Sequence, residues 1–149
     1  MGKPPEPTTG YLVWRLAMKW RAAGDRALAP LGLTHAQYAV LAPLYGLSRS
    51  GAVPSQRELA DFSGLDPIYV SKLVRALARA GLVARAGNPA DPRAVQLRLT
   101  DVGTEIATRA ITTIRELQEE LTAPLGGPDS RRARELRRAL RSLLEDQGG

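Results

Sequence analysis

Asp91-Pro92-Arg93-Ala94-Val95-Gln96-Leu97-Arg98-Leu99-Thr100-Asp101-Val102-Gly103 decides the fold. It reads as a turn that throws out an acidic and a basic residue, then a strand, then the capped start of a helix. Two short helix-like segments, 55–62 and 66–80, precede it. A helix, a turn, a helix and then a β-wing form an arrangement suited to gripping DNA.

Working outward, Ser55 and Glu58 have capping-box spacing, and the helix they open carries Leu59 and Phe62 on its apolar side. Ser63-Gly64-Leu65 is a tight turn. Asp66-Pro67 starts the next helix, which runs through Val70, Leu73, Val74, Leu77 and Ala80 to a stop at Gly81. Residues 82–85 and 95–99 read as strands, joined by Gly87-Asn88-Pro89 and the Asp-Pro pair. Upstream, Thr34 and Gln37 cap a helix with Tyr38, Leu41, Leu44 and Tyr45 in register, and 46–54 is a polar loop. Residues 10–29 form a long helix with two apolar stripes. One holds Leu16, Trp20, Ala23 and Ala27, and the other Trp14, Ala17 and Met18. Downstream, Thr100 caps a long helix with Ile106, Ala110, Ile114, Leu117 and Leu121 on one face. After a break at 124–128, Asp129 starts a last helix to Leu144. Residues 1–9 are expected to be a disordered arm.

At 149 residues the chain suits one domain with a modest core. A net charge of +6 favours polyanions. With no cysteine, disulfides, thiolate catalysis and Cys-based zinc sites drop out. A single histidine, His35, rules out a multi-His metal site within one chain. The Pro-rich start lacks the apolar run of a signal peptide. No apolar stretch approaches the ~18 residues that span a bilayer. The expectation is a soluble cytoplasmic protein without a cofactor or a membrane partner.

The element order resembles the MarR family of winged helix-turn-helix regulators over about residues 10–144. Ser55-Gln56-Arg57-Glu58-Leu59-Ala60 is similar to the family's first helix-turn-helix element. Val70-Ser71-Lys72-Leu73-Val74-Arg75-Ala76-Leu77 resembles its recognition helix, and Ala80-Gly81-Leu82-Val83 the step into the wing. Asp91, Arg93, Leu99, Thr100 and Gly103 match the family's D-x-R-x(5)-LT-x-x-G signature at full spacing. The resemblance implies a mainly α fold with a small β-wing: a winged helix-turn-helix lobe at about 34–100 and dimerisation helices at about 10–30 and 101–146. It also implies a homodimeric repressor of a pseudo-palindromic operator, released by a small anionic or aromatic ligand. Thiol-switched members carry an N-terminal cysteine, which this chain lacks. Urate-type members share a tryptophan with Trp14 but place an acid in a Trp-Asp-Val-Leu-like run, which here is Tyr38-Ala39-Val40-Leu41.

The DNA-binding candidates are Gln56, Arg57, Tyr69, Ser71, Lys72, Arg75, Arg85, Asp91 and Arg93. Arg and Lys in the major groove donate to guanine, while Ser and Tyr usually touch phosphates. A solvated helix face is the plain alternative for 69–75. Arg93 at the wing tip is suited to the minor groove, with Asp91 gripping its guanidinium; a local turn-stabilising ion pair is the plain alternative. Trp14, Met18, His35 and Tyr38 are candidates for an effector pocket, against ordinary packing. The arginine run 131–141 reads as a solvated helix face. Two other functions compete with the DNA reading. An enzyme would have to use Ser63, Gly64 and Asp66 without a nearby base. A winged-helix protein-interaction module would not need to keep Ser71, Lys72, Arg75 and Arg93.

Overall fold

The computed structural model describes residues 2–145. Six α-helices and one antiparallel hairpin follow in the order α1 (Thr9–Leu28), α2 (His35–Arg49), α3 (Gln56–Ser63), α4 (Pro67–Arg79), β1 (Val83–Asn88), β2 (Asp91–Leu99), α5 (Asp101–Thr122) and α6 (Arg131–Glu145). A single 3-10 turn follows α1 and another follows α5. The expected mainly helical winged fold is present. Met1 and residue 146, the outer limits of the expected arm and domain, lie outside the described residues. No described helix is long and apolar enough to cross a membrane.

One core joins the winged lobe to the flanking helices. Val40, Leu41 and Leu44 of α2, Leu59 of α3, Val70, Val74 and Leu77 of α4 and Leu97 of β2 are buried together. Leu28 of α1 and Ala107, Ala110 and Ile114 of α5 extend the same cluster. Each fully buried Leu or Val contributes roughly 1.5–3 kcal/mol relative to exposure. The N-terminus of α2 is held from α1: the His35 N–H donates to Asp25 Oδ1 at 2.7 Å. Thr34 and Gln37 form the full reciprocal capping box. α1 can approach this closely only because residue 24 is glycine; a Cβ there would press on the His35 ring.

Five local readings need correction. The last helix starts not at Asp129 but at Arg131, capped by Ser130, whose Oγ accepts from the Ala133 N–H at 3.1 Å. α2 does not stop before Gly46 but runs on to Arg49. An interior glycine costs about 1 kcal/mol against alanine, and Leu47 offsets that by packing on the core. Phe62 is not on the buried side of α3: Leu59 is fully buried while Phe62 is 66% exposed. Ser55 accepts from the Glu58 N–H at 3.0 Å, but the reciprocal half of the expected box is not formed. The hairpin is longer than expected, because its strands extend to Asn88 and from Asp91. Pro92 therefore sits inside a strand, which a two-stranded edge tolerates because no ladder partner needs its missing N–H.

The base of the wing is fastened at both ends. The Leu97 N–H donates to Pro54 O at 2.9 Å and Ser55 bridges to Gln96, so the residues before α3 lie along β2. At the other end Thr100 Oγ1 donates to Gly81 O at 2.6 Å and accepts from the Gly103 N–H at 2.9 Å. The Thr100 N–H donates to Leu82 O at 3.1 Å. Thr100 thus caps α5 and ties it to the turn that follows α4.

Candidate nucleic-acid interface

The turn between α3 and α4 is built from local chemistry. Gly64 takes φ +70, and its N–H closes α3 on Ala60 O. A left-handed residue at this position costs glycine little. Asp66 caps α4 by accepting from the Ile68 N–H at 2.7 Å, and Pro67 occupies the first helical position. The buried positions of α4 are Val70, Leu73, Val74 and Leu77. Positions 68, 71, 72 and 75 fall on the opposite side at the helical period. Ile68, Lys72 and Arg75 are exposed there, and Ser71 is partly so. Tyr69 flanks this face and is 38% exposed.

The wing overhangs the start of α3. Between them lies a cleft of about 860 Å³ lined by Gln56, Arg57, Asp91 and Arg93, with Glu58 and Asp61 beside them. Four of the expected DNA-binding residues, from two distant parts of the chain, are therefore brought together. Glu58 and Asp61 were not anticipated in this cleft; Glu58 shows in the sequence only as a capping residue. The Gln56 Oε1 atom is buried there without a hydrogen-bond partner. Arg85 is exposed on β1 opposite Leu97 and does not line the cleft.

The pairing expected between Asp91 and the Arg93 guanidinium is not formed. Asp91 Oδ1 instead accepts from the Arg93 backbone N–H at 3.0 Å, as Asn88 Oδ1 does from Ala90 at 2.9 Å. Two short polar side chains thereby shape the tip, since their acceptors satisfy backbone donors two residues on. The Arg93 side chain is left exposed. Among the described residues the one ion pair is Arg131–Glu135, so Arg57, Lys72, Arg75 and Arg93 are not engaged by carboxylates. On α6, Arg132 and Arg137 donate to Pro124 O and Pro128 O, which gives two of the run's arginines a structural role.

Of the four residues expected to line an effector pocket, His35 and Tyr38 are half-buried and Trp14 and Met18 are exposed. His35 and Tyr38 stack with ring centroids 6.3 Å apart on the seam of α1 and α2. Burial raises the Tyr38 hydroxyl pKa, partly offset by the Arg115 guanidinium. Trp14 and Met18 are 57% and 54% exposed. They lie ten and six residues before Gly24, roughly 15 and 9 Å along the helix axis from the His35 contact. The apolar cleft that α1 does form is elsewhere. It holds about 450 Å³ and is lined by Val13, Leu16, Ala17 and Trp20 of α1 with Thr122 of α5 and Ala133, Leu136 and Leu140 of α6.

The MarR family model matches residues 33–95. The chain is 33% identical over 119 residues to the uncharacterized HTH-type transcriptional regulator YdcH of Bacillus subtilis, covering 80% of this chain and 81% of that one. The chain belongs to the MarR family. It is a MarR-type DNA-binding transcriptional regulator. It is also 32% identical over 146 residues to the HTH-type transcriptional repressor Mb2911 of Mycobacterium bovis, covering 98% of this chain and all of that one. Among solved structures, the transcriptional regulator MOSR of M. tuberculosis in complex with DNA superposes with a TM-score of 0.76 at 29% identity, covering 96% of this chain and all of that one.

In this MarR-family chain the matched span runs from Leu33, just before α2, to Val95 in β2. It therefore contains the whole α3–α4 unit and the wing tip with Arg93. Arg93→Ala is expected to make the slope of log K against log salt shallower by roughly 2 for a complex with two wings, at about 0.9 per phosphate neutralised. Titrations at several salt concentrations check this. An unchanged slope and affinity would mean that Arg93 touches no DNA.

Proposed function

We propose that two copies of the chain form a two-fold dimer that represses transcription by holding a pseudo-palindromic operator. One α4 would lie in each major groove and one wing beside each minor groove. The observation that carries this reading is the face of α4: Ser71, Lys72 and Arg75 stand out from a helix whose other side is fixed in the core. In the DNA complex Arg57 and Arg93 supply phosphate contacts, and α4 supplies base discrimination. The protein works by binding and needs no turnover.

Dimerisation is supported by the apolar surface that the single chain leaves uncovered. Tyr11, Leu12, Val13, Trp14, Leu16 and Met18 of α1 and Leu143 and Leu144 of α6 are all exposed. They lie on α1 and α6, the helices that also line the apolar cleft and that carry none of the α4 and wing cations. Apolar side chains exposed in such number support an association site there.

Arg75→Ala tests the reading on a duplex enriched from a random DNA pool by the full-length protein. The variant is expected to lose ~1–3 kcal/mol of specific binding and to relax preference at one or two positions per half-site. Equal weakening on random DNA would make Arg75 a phosphate clamp. A pool that enriches no sequence would favour a protein-interaction module instead.

A further inference from the structure

Among the described residues Ile68 has the largest fractional exposure of the large apolar side chains, at 79%. A scattered exposed isoleucine needs no explanation, but this one sits at a particular place. It is the second residue of α4 and shares a face with Ser71, Lys72 and Arg75 at i, i+3, i+4 and i+7. In a helix-turn-helix the leading residues of the recognition helix approach base edges. Ile68 is therefore the apolar element at the deep end of an otherwise polar reading face.

We propose that Ile68 reads the 5-methyl group of a thymine in each half-site, a role that rests on the DNA-binding reading above. The major groove offers one apolar feature, the thymine methyl, and an aliphatic side chain is its natural complement. The side chain is also rigid. A β-branched residue in a helix is confined largely to one χ1 rotamer. Its backbone N–H is clamped by the Asp66 carboxylate at 2.7 Å, so the first turn of α4 is ordered before DNA arrives. Little conformational entropy is then lost when the methyl contact forms.

The test uses the full-length protein and the duplex it enriches from a random pool. Each thymine of the half-site is replaced in turn by uracil, which removes the methyl and leaves base pairing intact. One symmetric position is expected to weaken wild-type binding about fourfold per half-site, the factor corresponding to ~0.8 kcal/mol for one buried methyl-sized group. Ile68→Ala is expected to bind the thymine and uracil duplexes equally at that position. The substitution removes no core packing and keeps the N–H bonded to Asp66, and Ile68→Val is expected to restore part of the discrimination. A uracil effect of undiminished size in Ile68→Ala would assign the methyl to another side chain and overturn the proposal. So would an enriched half-site in which no thymine responds. Both of those outcomes leave specific DNA binding intact, whereas a pool that enriches nothing removes the DNA reading and this one together.

Discussion

Gly103→Ala is expected to destabilise the protein by ~3 kcal/mol or more, near the upper end of what overpacking costs. Gly103 is the third residue of α5, and its Cα rests against the backbone of Leu82; an added Cβ would overlap the Leu82 carbonyl oxygen. The obstacle is main chain, so no side-chain rotation relieves it. α5 must move away, and three hydrogen bonds centred on Thr100 are strained as it does: to Gly81 O, to Leu82 O and from the Gly103 N–H. Those bonds also set the base of the wing. At fixed protein concentration the melting temperature is expected to fall by about 6–12 °C. Thermal scans of both proteins check this, and a fall within about 2 °C would show that α5 shifts freely.

Leu16→Asp is expected to give the largest loss of operator binding of any single change considered. Leu16 lies in the apolar cleft between α1, α5 and α6 and is 39% exposed in the single chain. If a second copy covers this region, the substitution places an unpaired carboxylate in the interface, at a cost of several kcal/mol. Light scattering should then fall from about twice the 16.1 kDa chain mass to that of one chain. Operator affinity should drop by about 10²–10⁴-fold, because binding of the second half-site loses its effective concentration. The winged lobe should stay folded, since Leu16 is not part of the core cluster. A variant that remains dimeric and binds with wild-type affinity would place the interface elsewhere.

The elements with strong local chemistry were legible without coordinates. Asp66-Pro67 starts α4, and Gly64 ends α3 in the left-handed conformation. Thr34 with Gln37 caps α2 as their spacing implies, and Thr100 caps α5 as expected, accepting from the Gly103 N–H. Each is decided within four residues, because a side-chain acceptor and the N–H it satisfies lie in the same turn. The exposed face of α4 was nearly legible too. The period that selects Ser71, Lys72 and Arg75 also selects Ile68, which escapes notice when only polar residues are sought.

Other features depended on distant parts of the chain. Gly46 looks like a stop until Leu47 is seen to pack on the core. Trp14, Met18, His35 and Tyr38 look alike in the sequence, yet only His35 and Tyr38 stack, half-buried on α2, while Trp14 and Met18 stand exposed on α1. The cleft that joins Gln56 and Arg57 to Asp91 and Arg93 exists because Pro54 and Ser55 lie along β2. Taken alone, the sequence determined the order of the helices, the wing, their caps and the polar face of α4, since those follow from side chains acting on their own backbone. Only the tertiary structure decided why residue 103 must be glycine, where Arg93 stands relative to α3, and which apolar faces stay uncovered. Those depend on which backbones approach each other across tens of residues, and no local pattern encodes that distance.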